Sequence, residues 1–436
     1  MKDQSVSKTQ IKSLQYLEKA ITAWHSVNEL EKMFQEEGFI PLKESETWNL
    51  EKGKSYHVIR KGRSIAAFRV GTDSLSSYRI IAAHTDSPHL RLKTNTQTRD
   101  EENKNSLVTI RTSVYGGAIL NTWLDRPLAI AGIVLAKSNG ILKKYFFDSK
   151  DPIGIIPNAP IHLNRNINKG FEIKPQEHLS VILEIPGNLN DFIAKKLSIQ
   201  SENILSTDLE LYIPTKPVLC GYATSLVSAP RIDNQIHCFL GANALCNIAR
   251  EKICKTTAIG LFFDSEETGS TTIEGANSDF INYLLERISI ALNQSKEALF
   301  CSRAKSLILS ADVAHAWNPN FAEKYDSGYK CKINNGPVIK TDVNNRYATT
   351  AETEAIIKQL AQKKDISLQK FIMHSNLPCG STVGPMLSSK SLIPCIDIGI
   401  PIWAMHSSCE TAGMKDIEEM NKLFELFFTE ASLMSL

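Results

Sequence analysis

Four apolar segments that each end abruptly in acidic residues or histidine constrain the fold of this 436-residue chain more than any other feature. They cover 79–83, 257–263, 306–310 and 395–402, and the polar residues that follow them include His84, Glu266, Asp312 and His406. Near-continuous apolar strands are typical of a parallel sheet that is covered on both faces. Helical patterns such as 235–250 separate the segments, so the sequence predicts an α/β domain.

The polar residues at these strand ends also predict a ligand site. Open parallel sheets bind their ligands in a crevice beyond the carboxyl ends of the strands. We therefore expect the four strand ends to meet in one crevice that is lined by histidine and carboxylate side chains.

The character of the sequence changes between about 93 and 227. Short alternating apolar runs at 107–112, 128–136, 141–147 and 179–185 are broken by Gly, Asn, Asp and Pro, as is typical of a β-rich element. We interpret this segment as an insertion. The predicted domains are therefore a discontinuous α/β domain of residues 1–93 and 227–436 and an inserted β-rich domain of residues 94–226.

Helices are predicted at both ends of the chain. Apolar residues at helical spacing over 11–21 indicate the first helix. Ser26 and Glu29 are spaced as a capping box for a second helix, which Gly38 can end. The closing segment 417–433 is expected to be a core helix.

Charge and composition exclude several classes of protein. Lys and Arg total 49 and Asp and Glu total 47, which gives a net charge of +2 and no general footprint for nucleic acid or an anionic membrane. The first ten residues carry charge where a secretory signal is apolar, and no C-x-x-C pair occurs among nine cysteines. We expect a cytoplasmic protein that acts on peptides or small molecules and binds neither nucleic acid nor membrane.

The acidic pair Glu266-Glu267 is the strongest local signal for chemistry. Neighbouring residues at a strand end point in different directions, so one carboxylate could bind a metal while the other acts as a general base. His84-x-Asp86 is similar, because a metal-binding imidazole needs its second nitrogen held by a carboxylate. Neither pattern is specific alone, since acidic loops are usually solvated.

Further acids and a histidine complete a candidate set. Asp233 lies in a polar turn that opens a helix, where its ordinary role would be an N-cap. Asp312 and His406 each follow an apolar strand. Two histidines and three carboxylates can hold two divalent ions when one carboxylate bridges them, and this set suits Zn²⁺ while excluding few other first-row metals.

The chain resembles the aspartyl aminopeptidase family, whose members are dinuclear zinc metallo-aminopeptidases. The resemblance extends over almost the whole chain through ordered motifs: His84-Thr-Asp-Ser-Pro, Tyr115-Gly-Gly, Trp123-Leu-Asp-Arg, Ile161-His-Leu-Asn-Arg, Pro230-Arg-Ile-Asp-Asn, Glu266-Glu-Thr-Gly-Ser, Asp312-Val-Ala-His-Ala, Gly336-Pro-Val-Ile-Lys, Asn345-Arg-Tyr-Ala-Thr, Cys379-Gly-Ser-Thr and Met405-His-Ser. It implies a three-layer α/β/α metallopeptidase domain with an inserted β-rich oligomerisation domain. It also implies dimers assembled into a larger homo-oligomer, with a dodecamer as one candidate.

The resemblance implies a role for each ligand. One metal would be bound by His84, Asp233 and Asp312, and the other by Asp233, Glu267 and His406, so that Asp233 bridges. The expected ions are two Zn²⁺, with Co²⁺ or Mn²⁺ as alternatives.

The resemblance also implies the catalytic residues. Asp86 would orient His84. Glu266 would take a proton from the metal-activated water and pass it to the leaving amine, without a covalent intermediate.

Residues Lys340, Tyr347 and His162 match positions that contact substrate in the family, with His162 reaching a neighbouring subunit. A lysine in the pocket suits an acidic N-terminal side chain. However, Asn318 and Tyr325 stand where the family usually has histidine. Another departure is the sequence His374-Ser-Asn. We therefore predict an aminopeptidase with a preference for Asp or Glu, and keep two alternatives open: a dimetal exopeptidase for neutral residues and a non-catalytic assembly scaffold.

Overall fold

The computed structural model describes residues 6–73, 77–99, 107–251 and 254–430. Helices in these residues are α1 (Lys8–Lys19), α2 (Ala23–Glu36), α3 (Pro175–His178), α4 (Leu189–Leu197), α5 (Ile232–Glu251), α6 (Phe280–Ala291), α7 (Lys296–Ala304), α8 (Ala351–Gln362), α9 (Val383–Ser391) and α10 (Met414–Thr429). None of these helices has both the length and the apolarity that crossing a bilayer requires.

The strands in the described residues are β1 (Ile40–Leu42), β2 (Ser55–Arg60), β3 (Ser64–Arg69), β4 (Tyr78–His84), β5 (His89–Leu92), β6 (Thr98–Arg99), β7 (Leu107–Ile110), β8 (Thr112–Tyr115), β9 (Ala129–Ser138), β10 (Ile141–Asp148), β11 (Gly154–Ile155), β12 (Val181–Glu184), β13 (Ile204–Tyr212), β14 (Val218–Cys220), β15 (Leu226–Ala229), β16 (Thr257–Phe263), β17 (Leu307–Ala311), β18 (Ala314–His315), β19 (Val338–Lys340), β20 (Gln369–Phe371), β21 (Cys395–Gly399), β22 (Pro401–Trp403) and β23 (Glu410–Gly413).

The chain forms two compact units. The first contains Met1–Asp86, Pro217–Met405 and Glu410–Leu436, and the second contains Ser87–Lys216 and His406–Cys409. The domain boundaries and the dimerisation role predicted from the sequence stay predictions.

A nine-stranded mixed sheet forms the centre of the first unit, in the order β1-β2-β3-β16-β4-β17-β21-β19-β20. Strands β16, β4, β17 and β21 are parallel neighbours, whereas β3 and β19 join them antiparallel. The predicted parallel sheet is therefore its middle, where every strand is fully buried.

Helices cover both faces of this sheet. Alternate side chains of β4 belong to two different apolar cores, one on each face. Ile81 and Ala83 belong to the apolar core that contains residues of α1, α2, α5, α8 and α10. Ile80 and Ala82 belong to the other core, with residues of α6, α7 and α9. Successive strand residues face opposite sides, so these two cores make the three-layer α/β/α arrangement that was predicted. A smaller sheet, β14-β15-β23-β22-β18, also belongs to this unit.

The second unit is mostly β-structure. Its sheets are β10-β9-β13-β5-β8 and β11-β12-β7-β6, with all strand pairs antiparallel. A separate apolar core that includes Leu90, Ile130, Phe147 and Leu211 supports them.

The sequence predicted the end of the second helix correctly but not its beginning. Gly38 has φ +76° and follows α2, as expected for a helix stop. The capping box at Ser26 is wrong, because α2 begins at Ala23, three residues before Ser26, and Thr22 is its N-cap. The predicted closing helix begins at Met414, and its expected residues 431–433 lie outside the described residues.

Candidate active site

Three neighbouring strands bring the predicted site residues together. Strand β4 ends at His84, β17 ends one residue before Asp312, and β16 ends three residues before Glu266. Because β16, β4 and β17 are parallel neighbours, their carboxyl ends meet at one edge of the sheet. The loop after β16 forms a short 3₁₀ helix, Glu266–Thr268.

Asp233 approaches the same edge from the start of α5. Its ψ of 109° is not helical, so Asp233 lies before the regular part of α5. The backbone N–H of Asp233 donates a hydrogen bond of 2.9 Å to Oε2 of Glu410, a buried residue of β23. Sequence reasoning missed Glu410, although Glu410 lies only four residues after the predicted ligand His406.

The spacing of the ligand atoms fits zinc. Nε2 of His84 lies 3.3 Å from Oδ1 of Asp233 and 3.6 Å from Oδ1 of Asp312. Ligand atoms of His84, Asp233 and Glu267 all lie within 4.8 Å of one another. Two ligands about 2.1 Å from one tetrahedral zinc ion are roughly 3.4 Å apart, and nitrogen and carboxylate oxygen are among its usual donors. These four residues can therefore hold metal.

Asp86 fixes the acidic loop as well as the histidine. Its Oδ1 and Oδ2 accept hydrogen bonds of 3.1 Å from the backbone N–H groups of Glu266 and Glu267, respectively. Nδ1 of His84 lies 3.0 Å from the Asp86 carbonyl oxygen and 3.5 Å from its Oδ1. The backbone carbonyl is thus the nearer acceptor for the imidazole, and the carboxylate holds the turn that carries both glutamates.

Burial and crowded carboxylates dominate the electrostatics. The pKa of Glu266 is raised to about 8. Burial is the largest cause, His84 opposes it, and the charges of Asp312, Asp86 and Asp233 add to the increase. Burial alone would lower the pKa of His84, but hydrogen bonds to the surrounding carboxylates raise it well above its usual value. This concentration of negative charge is a natural site for cations.

Lys340 and Tyr347 lie beside Asp312 and are almost fully buried. Nζ of Lys340 lies 3.1 Å from Oδ2 of Asp312, 3.1 Å from the carbonyl oxygen of Val313 and 5.2 Å from the Tyr347 ring centroid. Burial would raise the pKa of Asp312, yet Lys340 and His84 hold it below its usual range.

The structure does not group the two remaining predicted histidines with this cluster. His406 belongs to the second unit, where its Nδ1 lies 3.2 Å from the carbonyl oxygen of Gly117. A Cβ atom at Gly117 would lie 3.0 Å from that nitrogen, which explains a glycine at this position of the Tyr115-Gly-Gly motif. His162 is exposed in a turn of the second unit, rather than on a strand.

The residues that depart from the family pattern have local roles. Oδ1 of Asn318 accepts a hydrogen bond of 3.0 Å from the N–H of Asn320 and caps a short 3₁₀ helix. Tyr325 forms an isolated bridge with Met373. His374 lies in an open cleft of the first unit that also includes Arg346 and Cys379.

Comparison with known proteins gives the family. The family profile described as "Aminopeptidase I zinc metalloprotease (M18)" matches residues 16–428. The chain belongs to the M18 aminopeptidase family. The "Probable M18 family aminopeptidase 2" of Clostridium novyi is 39% identical over 428 residues, which are 95% of this chain and 97% of that protein. The protein of the same name from Borreliella burgdorferi is 37% identical over 94% of this chain and 96% of its own length.

Solved structures agree with the M18 assignment. A chain of the complex of Ape4 and Nbr1 superimposes with a TM-score of 0.90 at 31% identity, covering 97% of this chain and 85% of its own. The mApe1 dodecamer of S. cerevisiae gives a TM-score of 0.85 at 27% identity, over 97% and 96% of the two chains. The predictions of the family, the α/β fold, a metallo-aminopeptidase and zinc as the cofactor are confirmed.

Two buried polar residues of this M18 protein were not found from the sequence. Asn234 follows Asp233 directly, His237 lies three residues further along α5, and both are fully buried. Their spacing gave no reliable signal, because Asn234 does not have helical backbone angles.

Proposed function

We propose that this M18 enzyme removes acidic N-terminal residues from peptides at a two-zinc site. The proposed ligands of one ion are His84, Asp233 and Asp312, and those of the other are Asp233, Glu267 and His406. The observation that carries the proposal is the separation of His84 Nε2 from Asp233 and Asp312, 3.3 and 3.6 Å, which is the spacing of ligands around one zinc ion.

Bound zinc supplies Lewis acidity, which makes water more acidic and polarises a carbonyl group. In our proposal Glu266 accepts the proton of the attacking water and later donates it to the departing amine. The raised pKa of Glu266, about 8, favours the protonated form, and nearby zinc charges would lower it towards the ionised form that a base requires. Asp86 supports this role by holding the backbone N–H of Glu266.

Lys340 is the proposed determinant of acidic specificity. An ammonium group has three hydrogen-bond donors, and Asp312 and Val313 use two of them. The third donor can meet a substrate carboxylate, with Tyr347 beside it. The pairing of Lys340 with Asp312 also favours a second candidate, an aminopeptidase for neutral residues in which Lys340 serves only to hold Asp312.

A homo-oligomer is also proposed, because the related mApe1 of S. cerevisiae is a dodecamer. Strand β10 lies at the edge of its sheet and exposes Leu142 and Phe146, which suits burial between subunits. None of the nine cysteines, all of which lie in the described residues, forms a disulfide bond, as expected for the cytosolic location that we propose. Mass measurement of the native protein tests the assembly.

Activity is tested with dipeptides that begin with Glu, Asp, Leu or Lys, before and after zinc removal by a chelator. We expect cleavage of Glu- and Asp-peptides that is lost with the chelator and restored by zinc. Preference for Leu would favour the neutral candidate. Hydrolysis of none of these peptides by zinc-loaded protein would favour the scaffold alternative.

A further inference from the structure

A chain of buried hydrogen bonds links the start of α5 to two other segments of the first unit. Nδ2 of Asn234 donates a hydrogen bond of 2.8 Å to the carbonyl oxygen of Ala311. Oδ1 of Asn234 lies 2.6 Å from Nδ1 of His237. Nε2 of His237 lies 3.2 Å from the backbone nitrogen of Ile400. Both side chains are completely buried, so water does not compete for these bonds.

Only one assignment of donors and acceptors satisfies all three of these hydrogen bonds. The N–H of Ile400 can only donate, so Nε2 of His237 must accept and the proton must be on Nδ1. Nδ1 then donates to Oδ1 of Asn234, which leaves the Asn234 amide group to donate to Ala311. Burial lowers the pKa of His237 to about 3, which is consistent with a neutral ring.

Two members of this series of hydrogen bonds lie next to proposed zinc ligands. Asn234 follows Asp233 directly, and Ala311 precedes Asp312 directly. The segment that contains Ile400 is also bonded to the segment that follows Asp312, because the carbonyl oxygen of Ile400 accepts a hydrogen bond of 2.9 Å from the N–H of Ala314. His237 therefore connects the backbones that carry Asp233 and Asp312.

We propose that His237 is a positioning residue that, through Asn234, sets the separation of Asp233 and Asp312 and thereby the affinity for zinc. This inference rests on the proposed ligand set. The ring of His237 does not itself bind metal, because its two nitrogens bond Asn234 and Ile400. Residues that hold metal ligands in place typically change metal affinity by about 10- to 100-fold when they are replaced.

The test measures zinc affinity of the full-length metal-free protein by competition with a chromophoric chelator. His237→Phe keeps an aromatic ring but removes both hydrogen bonds, and His237→Gln keeps one donor and one acceptor. The matched control is Asn243→Leu on the same helix, which removes a buried hydrogen bond of 2.9 Å to Asn421. Thermal unfolding of each metal-free variant measures the stability that each replacement removes.

We expect His237→Phe to weaken zinc binding by about 10- to 100-fold, His237→Gln to weaken it less, and Asn243→Leu to leave it unchanged at a comparable loss of stability. Wild-type affinity in His237→Phe, or equal weakening in Asn243→Leu, would overturn the proposal. If His237→Phe does not fold, the comparison of His237→Gln with Asn243→Leu decides. Asp233→Asn tests the proposed ligand set separately from the positioning role of His237. Unchanged zinc affinity in that variant would overturn the ligand set itself.

Discussion

The ammonium group of Lys340 lies 3.1 Å from Oδ2 of Asp312, and the Lys340 side chain is almost completely buried. A buried charge without a partner is costly, and Asp312 places an opposite charge beside Lys340. Lys340 in turn stabilises the ionised carboxylate that zinc requires. The pair thus connects the substrate selection that we propose for Lys340 to the metal binding that we propose for Asp312.

Replacement of Lys340 by Met separates these two roles. We expect kcat/KM for Glu- and Asp-peptides to fall roughly 10- to 100-fold more than for Leu-peptides, because a charge-assisted hydrogen bond to the substrate is lost. Steady-state kinetics at saturating zinc measures the ratio. Equal losses for all peptides, together with weaker zinc binding, would mean that Lys340 acts only through Asp312.

Replacement of Glu266 should affect turnover, whereas replacement of Glu267 should affect zinc binding. Glu266→Gln is expected to keep zinc but to lower kcat by about 10²-fold or more, because the amide cannot accept the proton. Glu267→Gln, its matched control, should lose zinc because a proposed ligand is removed. Metal analysis and single-turnover kinetics distinguish them. Normal turnover of Glu266→Gln would remove Glu266 from the role of base.

Gly117 should be intolerant of any side chain. A Cβ atom would lie 3.0 Å from Nδ1 of His406, so Gly117→Ala must displace the imidazole or its loop. We expect that variant to lose affinity for one of two zinc ions. Gly328→Ala is the control, since its Cβ would meet only Oδ1 of Asp326 at an ordinary 3.4 Å. Two full zinc sites in Gly117→Ala would argue against His406 as a ligand.

Asp416 is expected to make stability depend on pH. Burial raises its pKa to about 7, above the value of about 3.9 in the unfolded chain. The folded protein therefore binds the proton more tightly, and its free energy of unfolding falls as the pH rises from about 4 to 7. The equilibrium constant for unfolding should rise by up to about tenfold per pH unit in this window.

Urea unfolding of wild-type protein and Asp416→Asn across pH 4–8 measures this effect, because the variant lacks the titration. The carboxylate accepts hydrogen bonds of 2.6 and 2.7 Å from the N–H groups of Asn334 and Gly336, which favour its ionised form. Parallel pH profiles of the two proteins would show that these donors keep Asp416 ionised.

Local sequence patterns predicted the parallel strands at the middle of the nine-stranded sheet, because each of these strands is visible in the sequence as its own apolar segment. The apolar segment 257–263 is β16 in full, and the polar residues after β4, β16 and β17 meet because those strands are parallel neighbours. That inference needed only the rule for strand ends. The antiparallel pairing of the flanking strands of the same sheet followed from no such rule.

Contacts between distant residues could not be predicted in this way. Ser26 looks like a helix cap, but its hydroxyl group donates to Oε1 of Gln235 in a buried contact across 209 positions. Glu410 and His237 were likewise missed, because their importance lies in the partners Asp233 and Asn234 that folding brings to them.

The final prediction concerns His162, which the family resemblance assigns to a neighbouring subunit's active site. His162 is exposed in a turn of the second unit, so it is available to a partner in the homo-oligomer that we propose. In a symmetric dimer such an exchange is reciprocal. We therefore expect His162→Ala to lose activity while keeping its zinc, because no proposed ligand is changed.

Mixed subunits provide the decisive measurement. A hybrid of one His162→Ala subunit and one Glu266→Gln subunit has one active site with an intact Glu266 that receives an intact His162 from its partner. Activity should therefore reappear when two nearly inactive variants are mixed, towards half of the wild-type value per hybrid dimer. Native mass measurement establishes that hybrids have formed. Hybrids without activity would mean that His162 serves its own subunit, since in that case neither site of the hybrid combines both residues. Full activity of His162→Ala alone would mean that His162 has no catalytic role.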